Sequence, residues 1–183
     1  LTTVNESLRR LEAKLQGETP LAPFLWNEIQ TGVFRPKEEA LFSNFVKSHL
    51  EDDLGKRGVV VNREVEIHMG ERTDIHVDAV VRDAGGDVYD SVAVIIEVKG
   101  CWNRELNYAM KNQLVERYLA DNRCQHGLYL VAWFDHQKWD DGDYRKQQAP
   151  ETSIEQAWEQ FRTQAAELSH GGTVVVPYLM RIN

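Results

Sequence analysis

A carboxylate and an ammonium group close one of the most apolar runs in the chain, Val92 to Gly100 (VAVIIEVKG). Side chains alternate across a strand, so Glu97 and Lys99 share a face and Val98 points to the other. Burying either charge is costly, so the pair needs a physical reason. One reason is a plain salt bridge at a sheet edge. The other is chemistry: a carboxylate that holds a cation, beside a lysine that orients a water or offsets charge developing on a phosphate. The preceding strand bears on the choice. It carries Asp74, His76 and Asp78 on one face and Thr73, Ile75, Val77 and Ala79 on the other. If the two strands are neighbours, Asp74 approaches Glu97, and two carboxylates that close repel unless a proton or a cation lies between them. An all-oxygen donor set of this kind suits Mg²⁺ or Mn²⁺ better than Zn²⁺.

The elements that must position these residues follow from the pattern around them. Leu8, Leu11 and Leu15 mark a short amphipathic segment, followed by a stretch punctuated by Pro and Gly that contains Phe24, Leu25 and Trp26. Pro36 suits a helix start, and Leu41, Phe42, Phe45, Val46 and Leu50 recur at helical spacing to about Leu54. Three strands are predicted next: Val59 to Met69, Thr73 to Arg82 and Val92 to Lys99. A helix from Asn103 to Ala120 and an apolar strand from Gly127 to Phe134 complete this part. Asp135 to Pro150 reads as a polar loop. Ser153 and Gln156 resemble a capping box opening a helix with an Ile154, Ala157, Trp158, Phe161, Ala165 and Leu168 stripe. Thr173 to Ile182 reads as a last strand. The order α-β-β-β-α-β-α-β predicts an α/β fold, a mixed central β-sheet flanked by helices.

Arg72-Thr73-Asp74-Ile75, a gap of 22 residues, then Ile96-Glu97-Val98-Lys99-Gly100 resembles the PD-(D/E)XK nuclease superfamily. Its restriction-endonuclease-like αβββαβ core matches the predicted order from Pro36 to Phe134. The resemblance implies Asp74 and Glu97 as metal ligands, the Val98 carbonyl as a third, and Lys99 beside the attacking water. Thr73 stands where the motif has proline, a departure the superfamily tolerates. Gln113, at the edge of the apolar Leu106, Met110, Leu114 and Tyr118 stripe, is similar to the glutamine of the QxxxY helix in one branch of these nucleases. Here Tyr118 follows after five residues, with Arg117 in the fourth position. The other reading of Gln113 is a helix-edge amide bonded to a loop. Glu38 and Glu39 open the first core helix, where some members contribute a glutamate to the metal; Glu39 is the preferred one. A first-turn glutamate is also favoured by the helix dipole alone. The strings Arg63 to Ile67, Cys101 to Asn103 and Gly127 to Val131 resemble, more loosely, nuclease effector domains of larger bacterial defence proteins.

Other candidates carry less. His76 and Asp78 lie farther along the strand and suit a supporting or surface role. Asp140-Asp141-Gly142-Asp143 lacks the later glutamate of an EF-hand and reads as a solvated loop. Arg104, Lys111, Arg117 and Arg123 give the helix after Lys99 a basic character fit for phosphates, or an ordinary solvated face. Cys101 and Cys124 have no CxxC spacing and read as reduced thiols.

At 183 residues the chain divides into an N-terminal helical extension, 1–35, and a nuclease-like domain, 36–183, with its core at about 36–135. No apolar run approaches the roughly 20 residues that span a bilayer, so no membrane partner and a cytoplasmic setting are expected. The net charge of −8 opposes tight phosphate binding. Bound cations, a local basic patch or other domains of a longer chain would have to compensate. The expected function is metal-dependent hydrolysis of nucleic-acid phosphodiesters, DNA favoured. The alternative is an inactive nucleic-acid-binding or protein-interaction module on the same fold.

Overall fold

A computed structural model describes residues 1–63, 66–68, 71–72, 75–82 and 88–183. Five strands form one mixed sheet: β3 (Val59–Arg63), β6 (Ile75–Arg82), β7 (Val88–Gly100), β8 (His126–Phe134) and β9 (Val174–Ile182), in that order across the sheet. β6 runs antiparallel to both β3 and β7, while β7, β8 and β9 are mutually parallel. A parallel pair needs a crossover between its strands. A π-helix (Met110–Leu119) lies between β7 and β8, and α3 (Tyr144–Gln148) with α4 (Ile154–Leu168) lies between β8 and β9. β7 is thus the middle strand, buried on both faces from Val94 to Gly100. That is why its sequence is a continuous apolar run rather than an alternating one.

The helices cover the sheet. α1 (Thr2–Gln16) buries Leu8, Leu11 and Leu15, and packs on α2 (Glu39–Leu54) and β9. Its polar edge is stitched to the last strand. Tyr178 Oη and Arg181 N donate to the two oxygens of Glu12 at 2.8 and 3.0 Å, and Gln16 Nε2 donates to Arg181 O at 2.8 Å. A second clamp joins α1 to α2. Ser7 Oγ donates to Asp53 at 2.6 Å, and Lys14 Nζ lies 3.3 Å from His49 Nδ1. Lysine can only donate, so Nδ1 accepts and His49 Nε2 donates to Ser7 O at 3.0 Å. Serine, histidine and aspartate meet here without forming a nucleophilic triad, because the hydroxyl proton goes to the carboxylate.

Several boundaries differ from expectation. Pro36 ends a strand rather than starting a helix: β1 (Trp26–Gln30) and β2 (Val33–Pro36) form a hairpin in which Trp26 pairs with Pro36. α2 therefore starts at Glu39, with Glu38 as its N-cap residue. Within the expected strand from Val59 to Met69 the described residues form β3 and β4 (Glu66–His68), the latter paired with β5 (Glu71–Arg72). The stretch expected to be a polar loop before α4 buries Trp139, Asp143, Arg145 and Ala149 and contains α3. The capping box of α4, Ser153 with Gln156, is present. Cys101 and Cys124 are free, and burial pushes the Cys101 thiol up to about 12. Among the described residues, no helix is long and apolar enough to cross a membrane.

Candidate active site

Glu97 and Lys99 sit at the C-terminal end of the middle strand, 1% and 7% exposed, with Lys99 Nζ 2.6 Å from Glu97 Oε1. The salt bridge weighed for these residues exists, but in the centre of the sheet and not at its edge. Val98, on the opposite face, is fully buried and lies opposite Leu130 in the β7–β8 ladder. Asp74 lies outside the described residues. The described β6–β7 ladder begins with Ile75 opposite Ile96.

The first turn of α2 meets this strand end. Glu39 Oε2 accepts from the Gly100 backbone N–H at 2.7 Å and from Asn103 Nδ2 at 2.9 Å. Glu39 therefore does more than complement a helix dipole. Glu38 points elsewhere: its side chain is 78% exposed and lies 3.4 Å from Arg145.

Asn103 links Glu39 to the next residues of the site. Its Oδ1 accepts from Glu105 N at 2.9 Å, a local side-chain turn, while its amide nitrogen serves Glu39. Gln113 donates in turn to Glu105 Oε2. The loop-bonded reading of Gln113 is realised, and the glutamine is linked to the site through Glu105. Tyr129, opposite Glu97 in the β7–β8 register, is fully buried and donates to Leu106 O at 2.6 Å. Burial pushes its phenol well above the ordinary range, and the charges of Glu97, Glu39 and Glu105 push it further. Three carboxylates thus act on one buried ring. Asn103, Glu105 and Tyr129 escaped the sequence reading, although Asn two residues before Glu at a helix approach is a turn-and-cap signal.

Gln113 and Tyr118 lie on the π-helix. Bonding from residue i to i+5 sets residues five apart one turn from each other. Gln113 and Tyr118 are so spaced, and so is the Lys111–Glu116 ion pair at 3.6 Å. Tyr118 is buried, with the Arg117 guanidinium 5.5 Å from its ring centre.

A buried cation braces the site from behind. Arg145 donates to Asp143 at 2.8 Å and to Pro36 O at 3.0 Å, and lies 5.3 Å from the Trp102 ring centre. Asp143 also accepts from Trp139 Nε1 at 3.0 Å, and the Arg145 guanidinium holds its carboxyl below the usual range against the opposing effect of burial. Asp140 is likewise bound, by Arg35 at 2.8 Å. The aspartate run expected to be solvated is, apart from exposed Asp141, a structural brace. It acts on the segment before α2 and on Trp102, which covers Gly100. A Cβ at Gly100 would lie 2.7 Å from that indole.

His76 and Asp78 are 3.5 Å apart and line a separate cleft of about 500 Å³ with Asn122, Cys124 and His126. Among the described residues, no three His, Cys, Asp or Glu side chains are grouped so as to hold a metal ion. No protein-family model matches the chain, and no curated protein or solved structure matches it either.

Proposed function

We propose that this chain is a metal-dependent nuclease that hydrolyses nucleic-acid phosphodiesters, DNA favoured. The observation that carries the proposal is the convergence of Glu97, Lys99 and Glu39 on the end of the apolar Val92 to Gly100 stretch of the middle strand. Structural needs alone do not call for charges there, since apolar residues of similar volume stabilise such a position as well or better. The donors are carboxylate and carbonyl oxygens, which fit Mg²⁺ or Mn²⁺. Asp74 and Glu97 would hold the ion, with the Val98 carbonyl and Glu39 completing the set. When bound, the ion would supply a more acidic water and offset charge on phosphate. Lys99 would then turn from Glu97 toward the attacked phosphate, orienting the water and balancing the added negative charge. Glu39, fixed by Gly100 and Asn103, would keep the strand end and α2 in register. Gln113 would hold Glu105 in place beside them.

The test is cleavage of single- and double-stranded DNA and RNA in Mg²⁺ or Mn²⁺. Activity is expected to be lost in Glu97→Gln and Lys99→Met. Full activity in either variant refutes that residue's role. A second reading, an inactive binding module, draws on the closed ion pair, in which Lys99 already neutralises Glu97. Calorimetric titration separates the two: the nuclease reading requires Mn²⁺ binding that Glu97→Gln abolishes.

A further inference from the structure

The residues that join β7 to the π-helix have two faces. Inward, Leu106, Ala109 and Met110 are buried, while exposed Glu105 accepts from Gln113. Outward, Arg104, Tyr108 and Lys111 are all exposed, at spacings of four and three. Backbone bonds from Ala109 N to Glu105 O and from Asn112 N to Tyr108 O, at 2.8 and 2.9 Å, make the local geometry helical. Those bonds span residues 105 to 112 and put Tyr108 and Lys111 on one side of the turn, with exposed Arg104 directly before it. Tyr108 is 66% exposed, with a cation on either side along the chain. A large aromatic this exposed contributes little to the core.

The segment is also held still. Asn107 is tied to α4 by Gln160, at 3.2 Å to its Oδ1, and by Gln164, at 3.0 Å to its carbonyl. Leu106 is tied to the site by Tyr129, and Asn103 by Glu39. Tyr108 thus sits on a segment bonded on one side to the candidate active site and on the other to α4.

We propose that Arg104, Tyr108 and Lys111 form a stacking platform for single-stranded DNA that leads into the Glu97–Lys99 site. This inference rests on the nuclease reading and names its substrate class. An exposed ring between two cations matches an unpaired base between two phosphates, the pattern by which proteins hold single strands. A duplex keeps its bases stacked inside and offers only phosphates, which a chain of net charge −8 is poorly suited to grip. DNA rather than RNA is the occupant, following the proposed function. Lys111 is partly engaged by Glu116 at 3.6 Å, an exposed pair that phosphate can displace.

The test is fluorescence anisotropy with the full chain in EDTA, so that nothing is cut, against labelled oligodeoxythymidylate, oligouridylate and a DNA hairpin duplex. Oligodeoxythymidylate is expected to bind tightest. Tyr108→Ala is expected to weaken it by about 5- to 150-fold, the range for removing one stacked base, and Tyr108→Phe to preserve it. Arg104→Gln with Lys111→Gln is expected to lower the salt slope by about 0.7 for each phosphate no longer neutralised. Unchanged affinity in Tyr108→Ala, no binding at all, or tighter binding of the hairpin or of oligouridylate overturns the proposal. Cleavage assays keep the two readings apart. Tyr108-dependent binding without Mn²⁺-dependent cutting leaves the platform standing and removes the nuclease. Glu97-dependent cutting that Tyr108→Ala does not slow does the reverse.

Discussion

Replacing Gly100 by alanine should be a severe test of how the strand end is packed. The added Cβ would lie 2.7 Å from two atoms of the Trp102 ring and 2.8 Å from a third. Carbon atoms in good contact stand about 3.5–4.0 Å apart, so the ring must retreat by about 1 Å. It has little room to do so. The Phe134 and Trp139 rings are centred 5.4 and 5.6 Å from it, and the Arg145 guanidinium covers it. Overpacking of this kind costs about 1–3 kcal/mol. Alanine recovers about 0.5–1 kcal/mol of chain entropy relative to glycine in a strand. The net loss is therefore about 1–2 kcal/mol, which for a chain of this size lowers Tm by about 2–8 °C. Urea or thermal unfolding followed by circular dichroism measures it. The cause is isolated in a Trp102→Phe background, where the smaller ring should make Gly100→Ala less costly by about 1 kcal/mol in a double-mutant cycle. A Gly100→Ala protein as stable as the parent refutes the reasoning. So does a cost that persists undiminished in the Trp102→Phe background.

Lys99→Met removes the cation beside buried Glu97 and should cost about 3–5 kcal/mol, read as a lower urea midpoint; adding Glu97→Leu should restore most of it. Arg145→Met should cost about as much, because Asp143 keeps its charge and loses its cation, while Arg145→Lys recovers only part, since an ammonium cannot reproduce the forked contact. Burial lowers the pKa of His49 below its ordinary 6.5, with neighbouring Lys14 and Arg10 adding to the effect. A depressed pKa means stability that is present above 6.5 and lost as pH falls through the lowered folded-state value. Chemical denaturation from pH 7 downward should show that loss, and His49→Gln should flatten it; an unchanged slope in the variant refutes the assignment.

The middle strand was readable because burial on both faces leaves an unbroken apolar run, against which Glu97 and Lys99 stand out. Glu39 was readable from its place at the start of α2, though not its bond to Gly100, which spans 61 positions. The brace around Arg145 was hidden for the same reason at greater length: its contacts to Glu38 and Pro36 span 107 and 109 positions. An aspartate-rich stretch looks solvated until the buried cation that satisfies it is seen. Pro36 misled because proline suits both a helix start and the end of an edge strand. The π-helix that carries Gln113 and Tyr118 was not legible, because sequence periodicity gives no warning of one.

The seam between α1 and β9 has a consequence in time. Its bonds, from Glu12 and Gln16 to Tyr178 and Arg181, join residues 165 to 169 positions apart. Contacts so distant along the chain are closed only after much of the intervening chain is ordered. During synthesis α1 emerges well before β9, so its leucine stripe waits with α2 as early cover. Bonds absent from the folding transition state slow unfolding without speeding folding. The seam is therefore expected to act as a late latch, one that sets how long the folded chain stays shut.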